Sequence, residues 1–322
     1  MSTLTGEYTL VDLKAMHDPK GNVAKVVDVL SEVNDVMADA VWMEANDLTS
    51  HVVTRAFSEG AGEAGIVNQE VAYETDVVTQ IREPLEIFES YSRIDERLIK
   101  RATDAEMFRA QQNAMRLRGM AKSWAGRVFY GNETPSAENV RGLMVRYNDL
   151  DLANVHGAGG SGSDLASIWV IQWGGDGAYL VYPRGGKGFI DEEDLGQQLI
   201  GSSTGAYTAL VSHYMINWGL AVADDRAVQR ICNIETSGSS NIFDEDDLIT
   251  ALNLLPDPGN IGRTRIYVNR TIKTQMDIAL KDKSNVNFSV SEGLGGAPVL
   301  NFRGVPVKIV DQLATDEVAV TS

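Results

Sequence analysis

The chain has 322 residues, with 28 Lys plus Arg against 45 Asp plus Glu for a formal net charge of −17, and is 43% hydrophobic and 23% charged. This globular composition excludes a wholly disordered chain and a collagen-like repeat; there is no run of about 18 apolar residues to span a membrane as a helix, and Met1 to Leu10 lack the basic-then-apolar pattern of a secretory signal. The single cysteine, Cys232, excludes an internal disulfide framework and a Cys-rich zinc site, while the length allows one large domain or two modest ones.

The charge is uneven. Residues 1–96 carry 6 basic and 19 acidic groups, residues 97–127 carry 8 and 2, and residues 128–322 carry 14 and 24. The acidic balance argues against a generic nucleic-acid binder. The one positive stretch, 97–127, reads first as a solvated helix face.

In chain order, Asp18-Pro19 has the form of an N-cap followed by proline at the first helical position. Val23, Val26, Val27, Leu30, Val33 and Met37 follow at helical spacing, predicting an amphipathic helix behind an extended arm. Ser50 to Ser58 favours a strand, and Glu70 to Arg82 alternates as a strand longer than most. The Gly-rich stretch Glu59 to Gly65 between them makes the pair a long hairpin with a loose tip. A two-stranded hairpin is marginal alone, so it must rest on its own domain or on a neighbouring subunit.

Asp104 to Tyr130 reads as a helix about 40 Å long. Met107, Ala110, Ala114, Leu117, Ala121, Trp124 and Val128 form an unbroken apolar stripe expected to face the core. Arg109, Arg116 and Arg127 share one line off that stripe, and Gly131 ends the helix. Residues 141–236 look β-rich: Leu165 to Trp173 is a continuous apolar run fit for a buried strand, and Ala178 to Tyr182, Ile216 to Val222 and Ala227 to Ile234 are further strands. Asp244 to Asp247 then opens a helix running to Leu255. Arg265 to Val268 is a strand and Asn269 to Lys283 a helix; Pro298 to Phe302 and Val305 to Val310 are strands joined by a turn at Arg303-Gly304.

Chemistry-bearing patterns are weak. Gly157-Ala158-Gly159-Gly160-Ser161-Gly162 fits GxGxxG, but the segment after it lacks the helical spacing a dinucleotide site needs, so it reads as a loop. His17, His51, His156 and His213 are scattered, with no i, i+4 pair for zinc. Cys232 lies in an apolar strand and reads as a small core residue rather than as a nucleophile paired with His213. The acidic runs Asp191 to Asp194 and Asp244 to Asp247 lack EF-hand spacing and read as solvated surface or helix starts. The sequons at Asn132, Asn269 and Asn287 carry no meaning without a secretory route. No catalytic, cofactor-binding or metal residue is expected, and no cofactor. Extended elements that bury poorly within one chain and well across copies are what an interlocking subunit needs.

The order of elements resembles the tailed-bacteriophage major capsid proteins of the Hong Kong 97 fold. The residues that carry the resemblance to one capsid-protein subfamily are Tyr130-Gly131-Asn132, Ser167-Ile168-Trp169 with Trp173-Gly174, and Tyr182-Pro183-Arg184-Gly185 with Lys187-Gly188. Glu193-Asp194-Leu195-Gly196, Trp218-Gly219-Leu220, Arg230-Ile231, Asn233-Ile234, Tyr267-Val268-Asn269-Arg270 and Phe302-Arg303-Gly304-Val305-Pro306 complete the set. In the extended loop the chain departs from the subfamily pattern at Ala56-Phe57 and Gly65-Ile66, keeping Asn68.

The resemblance implies an α+β Hong Kong 97-like fold with a β-rich insertion. Residues 1–48 would be the N-terminal arm with its helix, 49–98 the extended loop, and 99–141 the spine helix and peripheral domain. Residues 142–236 would be the insertion or an enlarged peripheral sheet, 237–296 the axial domain, and 297–322 the C-terminal strands returning to the peripheral domain. It implies a non-enzymatic shell subunit that assembles with itself as hexamers and pentamers around double-stranded DNA, in a virion assembled in the host cytoplasm. Portal, scaffolding and decoration or head-tail proteins would be further partners, packaged DNA would be touched weakly and non-specifically, and no membrane would be involved. Arg109, Arg116 and Arg127 would face DNA or the next subunit. The alternatives are an encapsulin-like shell protein and a cytosolic enzyme with a Gly-rich cofactor loop.

Overall fold

The computed structural model of the chain describes residues 36–58, 64, 70, 77–186, 190–202, 205–281, 287–292 and 298–322. The N-terminal arm with most of its amphipathic segment, the hairpin tip and the part of its second strand before Val77 lie outside the described residues.

Helix α1 (Val36–Asp39) leads into β1 (Trp42–Glu44), β2 (Ser50–Ser58), β3 (Val77–Pro84) and β4 (Glu86–Asp95). After α2 (Glu96–Ile99) comes the long helix α3 (Ala105–Tyr130), then α4 (Leu143–Arg146) and the strands β5 (Val155–Gly157), β6 (Leu165–Gln172), β7 (Ala178–Tyr182), β8 (Asp191–Ser202), β9 (Gly205–Val222) and β10 (Val228–Glu235). Helix α5 (Glu245–Asn253), β11 (Thr264–Val268), α6 (Arg270–Ala279), β12 (Phe288–Glu292), β13 (Pro298–Phe302) and β14 (Val305–Ile309) complete the order.

Seven strands form one sheet in the order β12-β13-β14-β11-β6-β10-β5. Strand β6 is flanked by β10 and β11, both antiparallel to it, and every one of its residues is buried. Its two faces serve two cores. Trp169 and Ile171 pack with Trp124, Val128 and Phe129 of α3. Ala166, Ile168 and Val170 pack on the other side with Leu248 of α5 and with Ile272 and Met276 of α6. A strand covered on both faces needs no polar alternation, which is why its sequence is apolar throughout. The acidic start of α5 behaves as expected, with the Asp244 side chain accepting from the Asp246 amide. Asn269 caps α6 through the Ile272 amide.

A second sheet runs β1-β7-β9-β4, with β8 also on β9. Strand β9 has 18 residues and is the backbone of this sheet. It pairs with β4 from Ala209 to Trp218, with β7 from Gly219 to Val222, and with β8 from Gly205 to Met215. The run Asp191 to Asp194 is therefore the start of an edge strand, not a helix start. Strand β8 has little β propensity of its own, and its conformation comes from the long antiparallel partner.

Helix α3 starts with Asp104 capping the Met107 amide and ends at Gly131. The expected stripe holds in its C-terminal half, where Trp124 and Val128 are fully buried. In the N-terminal half it does not: Met107 is 52% exposed, while Phe108 and Gln112 are buried instead. Phe108 packs against Ile94 of β4 and Leu98 of α2, so here the helix leans on the second sheet and α2 and turns a different face inward. The helix expected from Asn269 ends at Ala279, with Lys283 outside the described residues, and β12 is a strand that periodicity did not announce.

Candidate functional site

Strands β2 and β3 form an antiparallel hairpin from Ser50↔Pro84 to Ser58↔Val77. Its root is fastened to the body by side-chain contacts on both strands. Arg146 of α4 makes a bidentate pair with Glu83, 2.5 and 2.7 Å from its two oxygens, and also donates to the Leu220 carbonyl. Both partners are almost wholly buried. Burial works against the Arg146 charge, but the hydrogen bonds and charge of Glu83 outweigh it and raise the guanidinium above its ordinary value. Arg55 donates to Asp225 at 2.6 Å and to the Val222 carbonyl, and the Tyr147 hydroxyl donates to the other Asp225 oxygen at 2.8 Å. An open cleft of about 470 Å³ between hairpin and body is lined by Arg55, Ile81, Arg146, Tyr147 and Asp225. Away from the root the support ends: Val78 is 61% exposed, and Thr79 and Gln80 are exposed on both faces.

His51 completes the root. The Asn46 amide donates to its Nδ1 at 3.3 Å, so Nε2 carries the proton and donates to the Tyr179 hydroxyl at 2.9 Å. Burial pushes the imidazole below its ordinary 6.5, against the opposing pull of the Glu83 charge. Between that lowered value and 6.5 the unfolded chain binds more protons than the folded one, so stability falls as pH drops through the window. Acidification from neutrality to about pH 5 should loosen the root, read as faster tryptic cleavage after Arg55 or Arg82. His51→Gln should flatten that pH dependence; an unchanged profile in the variant would exclude His51 as its cause.

A second fastening holds the C-terminal segment. Arg230, fully buried on β10, sits 2.9 Å from Glu317 Oε2, itself buried. Arg230 also donates to the Ser167 hydroxyl at 3.1 Å and to the Tyr147 carbonyl at 2.8 Å. The Ser167 hydroxyl donates to Glu317 as well, and Tyr130 at the end of α3 donates to Glu317 Oε1 at 2.7 Å. Burial, with the Glu317 charge, pushes the Tyr130 hydroxyl far above its usual range, so it remains a donor. Three residues after Glu317, Val320 exchanges two hydrogen bonds with the Asn233 side chain. Asn233 adopts a left-handed φ of 59°, a conformation asparagine tolerates better than most residues.

The arginine line of α3 faces the second sheet. Arg109 donates to Asp194 at 2.5 Å and to the Ser212 hydroxyl, and holds the Asp194 carboxyl below the usual range. Arg127 pairs with Glu86 at 2.5 Å and lies over the Phe88 ring. Arg116 stands between them, half-buried, in a groove shared with Phe88, Glu89 and Met120. Among the described residues no carboxylate pairs with Arg116. The hairpin β8–β9 also reaches past its support, with Leu199 74% exposed.

The patterns weighed for chemistry are dispersed. Gly157 ends β5, the Gly160 amide bonds to the Asn233 carbonyl, and the chain then enters the strand β6 rather than a helix, so the glycines do not open onto a following helix N-terminus. His213 pairs with Glu89 and stacks on Tyr91. Cys232 is buried, its thiol pushed up to about 11 by burial. Among the described residues no group of three or more His, Cys, Asp or Glu is placed to hold a metal ion.

Hairpins locked at their roots and exposed at Val78 to Gln80 and at Leu199, on a body pinned by buried ion pairs, are the build of a shell subunit that completes itself on its neighbours. The chain belongs to the family described as "Major capsid protein GP7", which matches residues 18–321. It is a major capsid protein, and its α+β fold is of the Hong Kong 97 type. A chain of the near-atomic structure of bacteriophage epsilon15 superposes with a TM-score of 0.73 at 24% identity, covering 100% of this chain and 99% of that one. A chain of the bacteriophage JBD30 capsid superposes with a TM-score of 0.52 at 12% identity, covering 95% and 99%. No curated protein sequence matches.

Proposed function

We propose that this capsid protein assembles through hexamers and pentamers into the icosahedral head that encloses the double-stranded DNA of a tailed bacteriophage, with a structural and not a catalytic role. The observation that supports it is the hairpin β2–β3, anchored by Glu83–Arg146 and Arg55–Asp225 yet exposed at Val78, Thr79 and Gln80. An element so held is preset to lie over an adjacent copy, and several modest contacts per subunit suffice when each is held by many neighbours. In this scheme 1–48 serves as arm, 49–98 as extended loop, 99–141 as spine and peripheral domain, 142–236 as enlarged sheet, 237–296 as axial domain and 297–322 as returning strands. Portal, scaffolding, and decoration or head-tail proteins would join the same shell, assembled in the host cytoplasm. Electron microscopy of the purified chain across a concentration series tests the proposal. Closed shells or rings of five and six would support it; a compact monomer at every concentration, with and without co-expressed phage head proteins, would overturn it.

For the line Arg109, Arg116 and Arg127, we assign the contact with DNA phosphates or a neighbouring acid to Arg116, since the other two hold carboxylates of their own chain. Such contacts are weak and salt-dependent. Arg116→Glu should leave subunit stability within about 0.5 kcal/mol of wild type while changing the salt dependence of assembly or DNA retention. Normal heads at all salt concentrations would remove the role. Reversing all three charges should instead unfold the subunit, by setting like charges against Asp194 and Glu86.

A further inference from the structure

We propose that the cleft at the hairpin root binds a small amphipathic carboxylate, its apolar part against Ile81, Leu152 and Leu254 and its charge at Arg141. The cleft, about 470 Å³, lies between the hairpin and the body, a size within the usual range for small-molecule sites. Its apolar residues come from separate elements. Ile81 belongs to β3, Leu152 to the segment before β5, and Leu254 caps the C-terminal end of α5. Leu152 is 38% and Leu254 44% exposed. Two leucines left to water around one concavity are apolar area that an occupant would bury.

The rim sets the charge of the occupant. Four arginines line the cleft. Three are matched at close range: Arg55 with Asp225 at 2.6 Å, Arg146 with Glu83 at 2.5 Å and Arg226 with Asp224 at 2.6 Å. The fourth, Arg141, is not. Its Nε is buried and has no hydrogen-bond partner among the described residues, and Glu133 stands 3.7 Å from it. A buried guanidinium nitrogen without an acceptor favours an anion, and a planar carboxylate matches its geometry. One unmatched cation calls for a single negative charge, so a carboxylate fits better than a phosphate dianion. A cation would meet the arginine rim, and a neutral apolar molecule would leave the Arg141 Nε without an acceptor. An occupant would touch β3 on one side and the body on the other, and so would tie the hairpin down. The inference concerns the single subunit and holds whatever shell the copies build.

Decanoate, kept below the concentration at which it forms micelles, tests this on the full-length unassembled subunit. Calorimetric titration should show saturable binding, and decanoate should slow tryptic cleavage after Arg82 by bridging hairpin and body. Decanol and decylamine should bind at least about tenfold more weakly. Arg141→Met should weaken decanoate binding about tenfold without changing that of decanol, and Leu254→Asp should weaken both. Both side chains are partly in solvent, so the variants should fold; the comparison of the three ligands on the wild type needs no variant. No saturable binding, decanol or decylamine binding as tightly as decanoate, undiminished binding by Arg141→Met, or binding that leaves the cleavage rate unchanged would each overturn the proposal.

Discussion

Replacing Glu317 by alanine is expected to cost the subunit about 3–5 kcal/mol, because it leaves the Arg230 charge buried without a counter-ion. Arg230 is fully enclosed, and Glu317 is its only carboxylate partner among the described residues. The loss is wider than one pair. Tyr130 and Ser167 lose their acceptor, and the segment around Val320 loses one of its two anchors. A buried donor left unsatisfied costs about 1–3 kcal/mol. The sign of the experiment lies in the double variant. Removing both charges with shape-matched apolar residues, Arg230→Met with Glu317→Leu, should restore much of the loss, since a buried ion pair is often no better than a well-packed apolar pair. The coupling, measured as denaturant unfolding of the unassembled subunit, should be at least about 2 kcal/mol. Additive losses would mean that the two residues act independently and that the network is incidental to the C-terminal fastening.

Such pairs mark the boundary of what a sequence can say here. Strand β6 was legible because burial on both faces makes its sequence continuously apolar, and α5 because its acidic first turn suits a helix N-terminus. The α3 stripe was legible as a stripe but not as a burial pattern: periodicity identifies a face, and only the tertiary arrangement decides whether the body or another segment covers it. Strand β8 was not legible, since its glutamines and acids are held extended by β9. Within the site, Arg230 did carry a signal, a lone charge in an apolar strand, which implies a buried partner. That partner stands 87 residues away in sequence, and nothing local points to it. The same holds for Glu83 and Arg146, which look like surface charges until the hairpin root closes over them. The resemblance to phage capsid proteins supplied the order of the elements; the ion pairs that fix their angles came only with the structure.

Arg146→Met should therefore disable the hairpin more than any exposed substitution on it. The variant strands Glu83 in a buried site, at a cost of about 3–5 kcal/mol, and the cost falls on the joint between hairpin and body. At that joint Glu83–Arg146 is the buried pair; Arg55–Asp225, with Asp225 half in solvent, is the weaker one. The hairpin loses its fixed direction before the body unfolds, because the two main cores do not include it. Two readouts should separate accordingly. Tryptic cleavage after Arg82 should accelerate at temperatures where the body stays folded, and closed shells should fail to appear at concentrations where the wild type closes. Glu83→Gln, which keeps hydrogen-bonding oxygen in place beside a guanidinium that has lost its counter-charge, should fall between. Arg226→Ala, at a largely exposed arginine paired two residues away with Asp224, should stay within about 0.5 kcal/mol of wild type. If Arg146→Met assembles as the wild type does, hairpin direction is set by the neighbouring subunit after contact, and preorganisation at the root is not what drives closure.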